Sequence, residues 1–424
     1  MLVVPRPVAA LCAVIAGLCI SLLAVANLEL ALLACGVLAL AIVVVTAPHV
    51  ILALALPMSY ALLRAGPDAL NMSYADASLV VAMVVALPYV PWRDRRLQRV
   101  LYVLLAYELL ILAPVLAHPT SRALFEYAHR AVLIAGPVFV GAALVQLNAM
   151  RFALRAFFWG SCLVSVSAIL DTLASGFDAA YPFGFQKNAI GNVLAVAVLV
   201  VVIGARLLEY PRAVVIGGAV LVSLGLLAVQ SRGSLLSVVV CFALWTLRGR
   251  TRRPGSAVAI LLLVVAFAGT VSLINDREAQ NLRTDPAAAK FSSEASREAD
   301  YDAALGVWRE QPLWGAGLRY FNEGGHGGEA HNLIINALAE TGLLGVAAVC
   351  VLWIGTFAAL ARLRGTVATL ARLALLTRVL SGLVDIFWVG GRMTVPFVLV
   401  GAAIAIDGQR RAQTRGAGAV AVAA

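Results

Sequence analysis

Long apolar runs separated by short polar connections dominate the chain. A helix needs about 20 apolar residues to cross a bilayer core. Runs of that kind occupy 8–26, 30–47, 98–117, 131–148, 153–174, 189–206, 213–230, 233–248, 257–274, 333–361, 369–388 and 393–407. Two shorter runs, 50–63 and 77–91, are broken by Pro57 and Pro88. They read as tilted spans or a partly re-entrant hairpin. The pattern predicts an all-α polytopic membrane protein with about 12 to 14 transmembrane helices. The first run ends Ala24-Val25-Ala26, which mimics a signal-peptidase site. It exceeds a signal core in length and a second run follows at once, so it reads as a first transmembrane helix.

Composition agrees with the pattern. Hydrophobic residues make up 62% of the 424 and charged residues 13%, and mean hydropathy is +0.94. Soluble domains carry about 25% charged residues and cannot hide this much apolar surface. The net charge of +10 sets topology and is no nucleic-acid footprint. Arginines cluster at 93–99, 151–155, 206–212, 248–253, 362–372 and 410–415, in every second connection, which is the positive-inside pattern. It predicts a cytoplasmic (inner) membrane protein, both termini cytoplasmic, with the Arg-poor connections 65–77, 118–130, 176–188, 230–233, 275–332 and 389–392 outside. The six cysteines (Cys12, Cys19, Cys35, Cys162, Cys241, Cys350) lie inside apolar runs without metal-ligand spacing and read as small buried hydrophobes.

The domain reading is 1–274 for the N-terminal spans, 275–332 for one large extracytoplasmic loop, 333–408 for the last three spans and 409–424 for a cytoplasmic tail. The loop holds ten acids and six bases. Within it, about 292–311 predicts an amphipathic helix. Tyr301, Ala304, Leu305 and Trp308 share one face, Glu294, Glu298 and Asp300 suit its N-terminal end, and Pro312, Gly315 and Gly317 stop it. Such a helix is expected across the outer membrane face, with Trp308 and Trp314 at headgroup level.

Polar groups at membrane depth or its edge are candidates for function. Arg232, in Gln230-Ser231-Arg232-Gly233-Ser234, is the sole charge across 213–247. It reads either as a turn residue snorkelling to the interface or as a guanidinium aimed at an anionic headgroup. Lys187, one of two lysines, precedes the 189–206 span, in a helix-entry segment capped by Asn188 or as a second cation for a phosphate. His331 sits where the large loop re-enters the membrane. It is either a structural hydrogen bonder or a base working near neutrality. Arg297 is an anion ligand at the start of the loop helix or an i,i+3 partner of Asp300. Glu108, mid-span in 98–117, pairs with an arginine or marks an ion path. His326 lacks a carboxylate at ligand spacing, so no metal site and no cofactor is expected. Two cationic loci and a histidine on one face suit a reaction on a lipid-linked diphosphate.

At these residues the chain resembles the bacterial O-antigen ligase/polymerase superfamily. Gln186-Lys187-Asn188 is similar to its Lys-Asn before a span, and Gln230-Ser231-Arg232-Gly233 to its Ser-Arg-Gly. Arg297, Trp308 and Pro312-Leu313-Trp314-Gly315-Ala316-Gly317 resemble its Arg, Trp, Pro-Leu-x-Gly-x-Gly run. His331-Asn332, nine residues, then Gly342 and Gly345 resemble its His-Asn, nine, Gly-x-x-Gly pattern. The likeness spans roughly 180–390; residues 1–175 match only as apolar helices. It implies a membrane fold of the C-type glycosyltransferase kind and a metal-independent, inverting transferase. Such an enzyme moves a glycan from a polyprenyl-diphosphate carrier to a glycan or lipid acceptor at the outer face. Carried over, Arg232 and Arg297 bind the diphosphate and His331 activates the acceptor, while Lys187, Asn188, Asn332 and Arg319 are the candidate substrate-binding residues. The His-Asn-x9-Gly-x-x-Gly spacing tilts toward ligase over polymerase. A secondary transporter or flippase, suggested by Glu108 and the Pro-broken spans, is the competing class, although no internal repeat supports it.

Overall fold

The computed structural model describes residues 28–64, 72–248, 264–265, 267–273, 275–276, 293–322, 328–385, 388 and 390–423. The predicted span 8–26, half of 257–274, Ser292 and His326 lie outside the described residues. The chain divides into two compact units, residues 1–51 and 52–424. In the first, α1 (Leu28–Thr46) covers the predicted 30–47 run. α2 (Pro48–Leu54) follows it.

The second unit is helical among its described residues, apart from an isolated antiparallel bridge between Arg64 and Ser73. Its helices are α3 (Tyr74–Ala86), α4 (Arg95–Ala117), α5 (Ser121–Gln146), α6 (Met150–Ala174), α7 (Lys187–Ile203), α8 (Ala205–Leu208), α9 (Arg212–Val229) and α10 (Arg232–Arg248), then α11 (Ser293–Glu310), α12 (Leu333–Ala361), α13 (Thr366–Gly382) and α14 (Thr394–Ala423). Among the described residues five (α4, α5, α6, α9 and α12) are long and apolar enough to cross a membrane. Shorter apolar helices stand where further spans are predicted, at Tyr74–Tyr89, Lys187–Ile203 and Arg232–Leu247. The protein is thus an all-α polytopic membrane protein.

α7 is the innermost helix. Every residue from Ala189 to Val201 is buried, as expected of a helix apolar on all sides. It packs against α6, α9, α10 and α13. α5 and α14 form the most extensive pair, and α4 lies along α12.

Two expectations need correction. Most of the predicted outer connection 118–130 is the beginning of α5. Thr120 caps it, its hydroxyl accepting from the Ala123 amide at 3.0 Å, and Glu126 and Arg130 pair four residues apart at 2.8 Å. Hydropathy reads such a neutralised pair as polar loop. The loop helix α11 begins and ends within a residue of its predicted bounds, but its apolar face lies inside the protein. Ala304 forms a cluster with Phe321, Ala330 and Ala339, and Tyr301 and Ile335 pack against it. Trp308 donates to the Pro312 carbonyl at 3.2 Å.

α12 is broken at Gly342, whose φ of 63° and ψ of −157° interrupt the helix. The break releases backbone groups that lipid cannot satisfy. The segment after α11 satisfies them. Ala316 N–H bonds Ala339 O at 2.8 Å, Gly317 N–H bonds Glu340 O at 2.9 Å, and Leu343 N–H bonds Pro312 O at 2.9 Å. A Cβ on Gly342 would run into the Leu313 carbonyl. The Pro-Leu-x-Gly-x-Gly run and the Gly-x-x-Gly pattern therefore meet as two halves of one backbone joint.

Under this joint runs a chain of buried charges. Arg130 Nη2 lies 3.2 Å from Glu340 Oε2, and Glu126 lies 3.7 Å from His129 Nδ1. His129 Nε2 is 3.4 Å from Asp76, whose Oδ2 accepts from the Ser73 amide and hydroxyl at 2.8 Å each. Glu340 Oε1 accepts from the Arg319 amide at 3.0 Å, and the Arg130 guanidinium stacks 4.9 Å over Trp388. Breaking a buried pair strands a charge and is far costlier than lacking the pair altogether. The chain therefore ties α3, α5, α12 and the outer loop together.

Gly342→Ala forces a side chain into a conformation nearly exclusive to glycine and against backbone. It is expected to destabilise the protein by about 1–3 kcal/mol, read as a lowered Tm of the purified protein in detergent. An unchanged Tm would show that the joint tolerates a Cβ.

Candidate functional site

Two helices begin at the same place. α7 starts at Lys187, after the 3-10 turn Pro182–Gly184. α9 ends at Gln230 in the left-handed region (φ 53°), and α10 starts at Arg232. The Ser231 and Ser234 hydroxyls bond each other at 2.9 Å. Gly233 lets this turn press close to the end of α13, because a Cβ there would lie 2.5 Å from Val384 Cγ2. The result is a pocket of about 270 Å³ whose lining includes Lys187, Asn188, Arg232, Arg297 and Asp385, with Phe267 and Val271 as apolar wall. Two helix N-termini and three cationic side chains converge on one cavity, which is an environment for an anion.

α11 delivers Arg297 to this pocket from the loop. Its docking on α12 is completed by the Tyr301 hydroxyl, which donates to the His331 carbonyl at 3.2 Å. Burial pushes the Tyr301 phenol above its ordinary pKa, against the opposing pull of the Arg297 guanidinium.

His331 stands at the edge of the pocket, and its side chain is 31% exposed. Its Nδ1 lies 3.3 Å from Asp385 Oδ1, and Arg392 Nη1 donates to Asp385 Oδ2 at 2.7 Å. Asp385 lines the pocket, so the histidine is joined to it through that carboxylate. With the carboxylate accepting a hydrogen bond from Nδ1–H, Nε2 presents a lone pair.

Four of the candidate residues read from sequence thus share one cavity: Lys187, Asn188, Arg232 and Arg297. His331 joins through Asp385. Asn332 holds a different place. Its side-chain oxygen accepts from the amides of Ile334 at 2.9 Å and Ile335 at 3.2 Å, capping α12. Its Nδ2 donates to Leu383 O at 2.9 Å, tying His331 to the end of α13. Arg319 does not line the pocket. It has a φ of 68°, its amide bonds Glu340 and its guanidinium lies 3.8 Å from Glu329. Glu108, mid-α4, does not line the pocket either. Its Oε2 is buried without a hydrogen-bond partner among the described residues.

Sequence reading missed Asp385, Arg392, Asn192, Arg378 and Ser381 at or beneath this pocket. Asp385 and Arg378 fall inside the predicted 369–388 span, and an ionisable group within a span was the available signal.

No match was found among curated proteins. Residues 217–350 match the family described as O-antigen ligase. The matched stretch, about a third of the chain, contains Arg232, Arg297 and His331, and it supports the likeness to the O-antigen ligase/polymerase superfamily.

Proposed function

We propose that the protein transfers a glycan from a polyprenyl-diphosphate carrier to a hydroxyl of a glycan or lipid acceptor at the outer face of the cytoplasmic membrane. One observation carries this reading. Lys187, Arg232 and Arg297 line a single pocket whose wall includes Asp385, the partner of His331. Guanidinium forks hold phosphate oxygens in two-point contacts and stabilise charge as it develops on a leaving diphosphate.

In the reaction, the acceptor hydroxyl attacks the anomeric carbon from the side opposite the diphosphate. The new C–O bond forms as the bond to the diphosphate breaks, the electron pair leaves with the phosphate oxygen, and configuration inverts. The hydroxyl proton passes to His331 Nε2. Asp385 holds the imidazole through Nδ1 and balances the imidazolium that forms. The guanidiniums supply the charge neutralisation that a divalent cation provides elsewhere, so the reaction is metal-independent.

The outer-face assignment has a geometric support. α14 begins beside Arg392 and Asp385 and runs to Asp407, roughly 20 Å along its axis at 1.5 Å per residue. There Asp407 pairs with Arg96 at 2.7 Å and Arg411 at 2.8 Å, within the arginine-rich connections. The pocket and the basic surface therefore lie at opposite ends of one helix, which by the positive-inside rule supports an outward-facing pocket.

Cells lacking the protein are expected to accumulate polyprenyl-diphosphate glycan, and wild type to clear it. His331→Ala should fail to clear it, and so should Arg232→Lys, because a point charge cannot reproduce the fork. Glu108→Gln should clear it. The reverse pattern, with Glu108 essential and His331 dispensable, would favour transport; no accumulation in any strain would sink the transferase reading. Glycan chain length in the cleared products separates ligase from polymerase.

Asp385→Asn keeps the side chain's shape but removes its negative charge, and with the amide oxygen drawn to Arg392 it turns an N–H toward Nδ1, favouring the wrong tautomer. Turnover of the purified enzyme is expected to fall by about 100-fold or more, with donor binding nearly unchanged. A matching loss of donor binding would place Asp385 in structure rather than in proton transfer. Treatment with EDTA is expected to leave the rate intact, and inhibition reversed by added magnesium would refute the metal-free mechanism.

A further inference from the structure

The same pocket has a lower tier. Asn192 on α7 is 2% exposed and lines it, one turn below Asn188. Ser381 on α13 is 1% exposed and lines it from the other side, and its hydroxyl has no hydrogen-bond partner among the described residues. Arg378, one turn before Ser381 and also 1% exposed, donates from Nη1 to Asn192 Oδ1 at 3.1 Å. Asn192 Nδ2 donates to the Asn188 carbonyl at 2.7 Å.

Those two bonds fix which way the amide points. Its oxygen faces the guanidinium, and its nitrogen faces the upper tier of the pocket. An amide nitrogen carries two N–H donors, and one is used on Asn188. A buried hydroxyl without a protein partner is rare enough in folded proteins to call for an explanation. Both groups lie on the wall of a cavity whose mouth carries three cations. Donors beneath cations are what a phosphate needs, since its oxygens accept several hydrogen bonds at once.

We propose that Asn192 and Ser381 are hydrogen-bond donors to the diphosphate held in this pocket, and that Arg378 is the positioning residue that keeps the Asn192 amide turned toward it. The inference rests on the diphosphate reading above and extends the subsite below Lys187, Arg232 and Arg297. Asn192→Asp is the sharpest change. It leaves a group that Arg378 can pair with, at the loss of the bond to the Asn188 carbonyl, and turns a donor into a negative charge facing phosphate.

The test is binding of geranylgeranyl diphosphate to the purified full chain in detergent, with inorganic pyrophosphate as a second probe. Asn192→Asp is expected to weaken geranylgeranyl diphosphate by about tenfold or more, the weight of a charge-assisted hydrogen bond. Ser381→Ala is expected to weaken it by about fivefold, the weight of one ordinary bond. Ser381→Ala, which loses no bond within the protein, should melt as wild type does without ligand. Arg378→Gln can still donate to Asn192 and should keep most of the affinity, whereas Arg378→Met should lose it. In an Asn192→Ala background Arg378→Met should cost nothing more, because the arginine acts through the amide.

Wild-type affinity in both Asn192→Asp and Ser381→Ala would overturn the proposal, and these two decide it if Arg378→Met does not fold. Additive losses from Arg378→Met and Asn192→Ala would overturn the positioning role. If Arg232→Ala abolishes binding while the lower-tier variants bind normally, this inference falls alone. If wild type binds neither probe, the diphosphate reading falls and takes this one with it. Equal binding of pyrophosphate, with the same dependence on Asn192 and Ser381, would support the donors but assign them to a soluble diphosphate.

Discussion

Everything on the pocket side of this protein depends on how the break in α12 is satisfied. A helix inside a membrane has no water to take up a freed carbonyl or amide. Once Gly342 turns the chain out of helical geometry, Ala339, Glu340 and Leu343 each need a partner, and the Pro312–Gly317 segment supplies all three. That requirement fixes the position of the outer loop far more tightly than side-chain packing would. α11 leads into this segment, so Arg297 at its first turn is placed by the same joint. At its N-terminal end α12 is capped by Asn332, with His331 just before the cap. One broken helix therefore sets the separation of a pocket-lining cation and a candidate base that are 34 residues apart in the sequence.

The buried charges serve that joint from below. Glu340 holds Arg130 with one oxygen and the Arg319 amide with the other, so it links the membrane core to the loop. Arg130 in turn sits over Trp388, three residues past Asp385. Asp76, beneath the same region, lies so close to Gly390 that a Cβ there would meet its carboxylate. Each charge has its counter-charge within the chain, as burial demands. The wall that carries Asp385 is thus built on ionic contacts and not on apolar packing alone.

Much of this was legible in the sequence, for reasons that also explain the rest. Arg232 and Lys187 stand out because each interrupts an apolar stretch at its edge. The bounds of α11 followed from a spacing of Tyr301, Ala304, Leu305 and Trp308 that needs no tertiary knowledge. What the apolar face met did need it. An amphipathic helix reads alike whether it lies on lipid or on α12, and only the backbone joint beside it decides. Asp385, Arg378 and Arg130 escaped because a lone charge barely lowers the mean of an apolar window, and Glu126 with Arg130 looked like polar connection. The glycine patterns were visible as patterns. That they mate with each other could not be read from either alone, since a positive φ and a close approach are properties of the pair.

The placement of Asp385 poses an electrostatic problem that the structure answers. A carboxylate on the wall of a pocket for an anion would repel it, and at a few ångströms that repulsion is worth several kcal/mol in a partly buried site. Yet the imidazole needs an acidic partner to hold Nδ1 and to balance the charge it gains. Arg392 resolves the conflict. At 2.7 Å from Oδ2 it neutralises the carboxylate toward the pocket while leaving Oδ1 for His331. In the proposed reaction the cations at the mouth then act on the diphosphate without first being quenched by their own wall. This arrangement separates two tasks that compete for charge. Under the proposed transfer, Lys187, Arg232 and Arg297 present positive charge to the leaving group, while His331, Asp385 and Arg392 manage a single proton beside it.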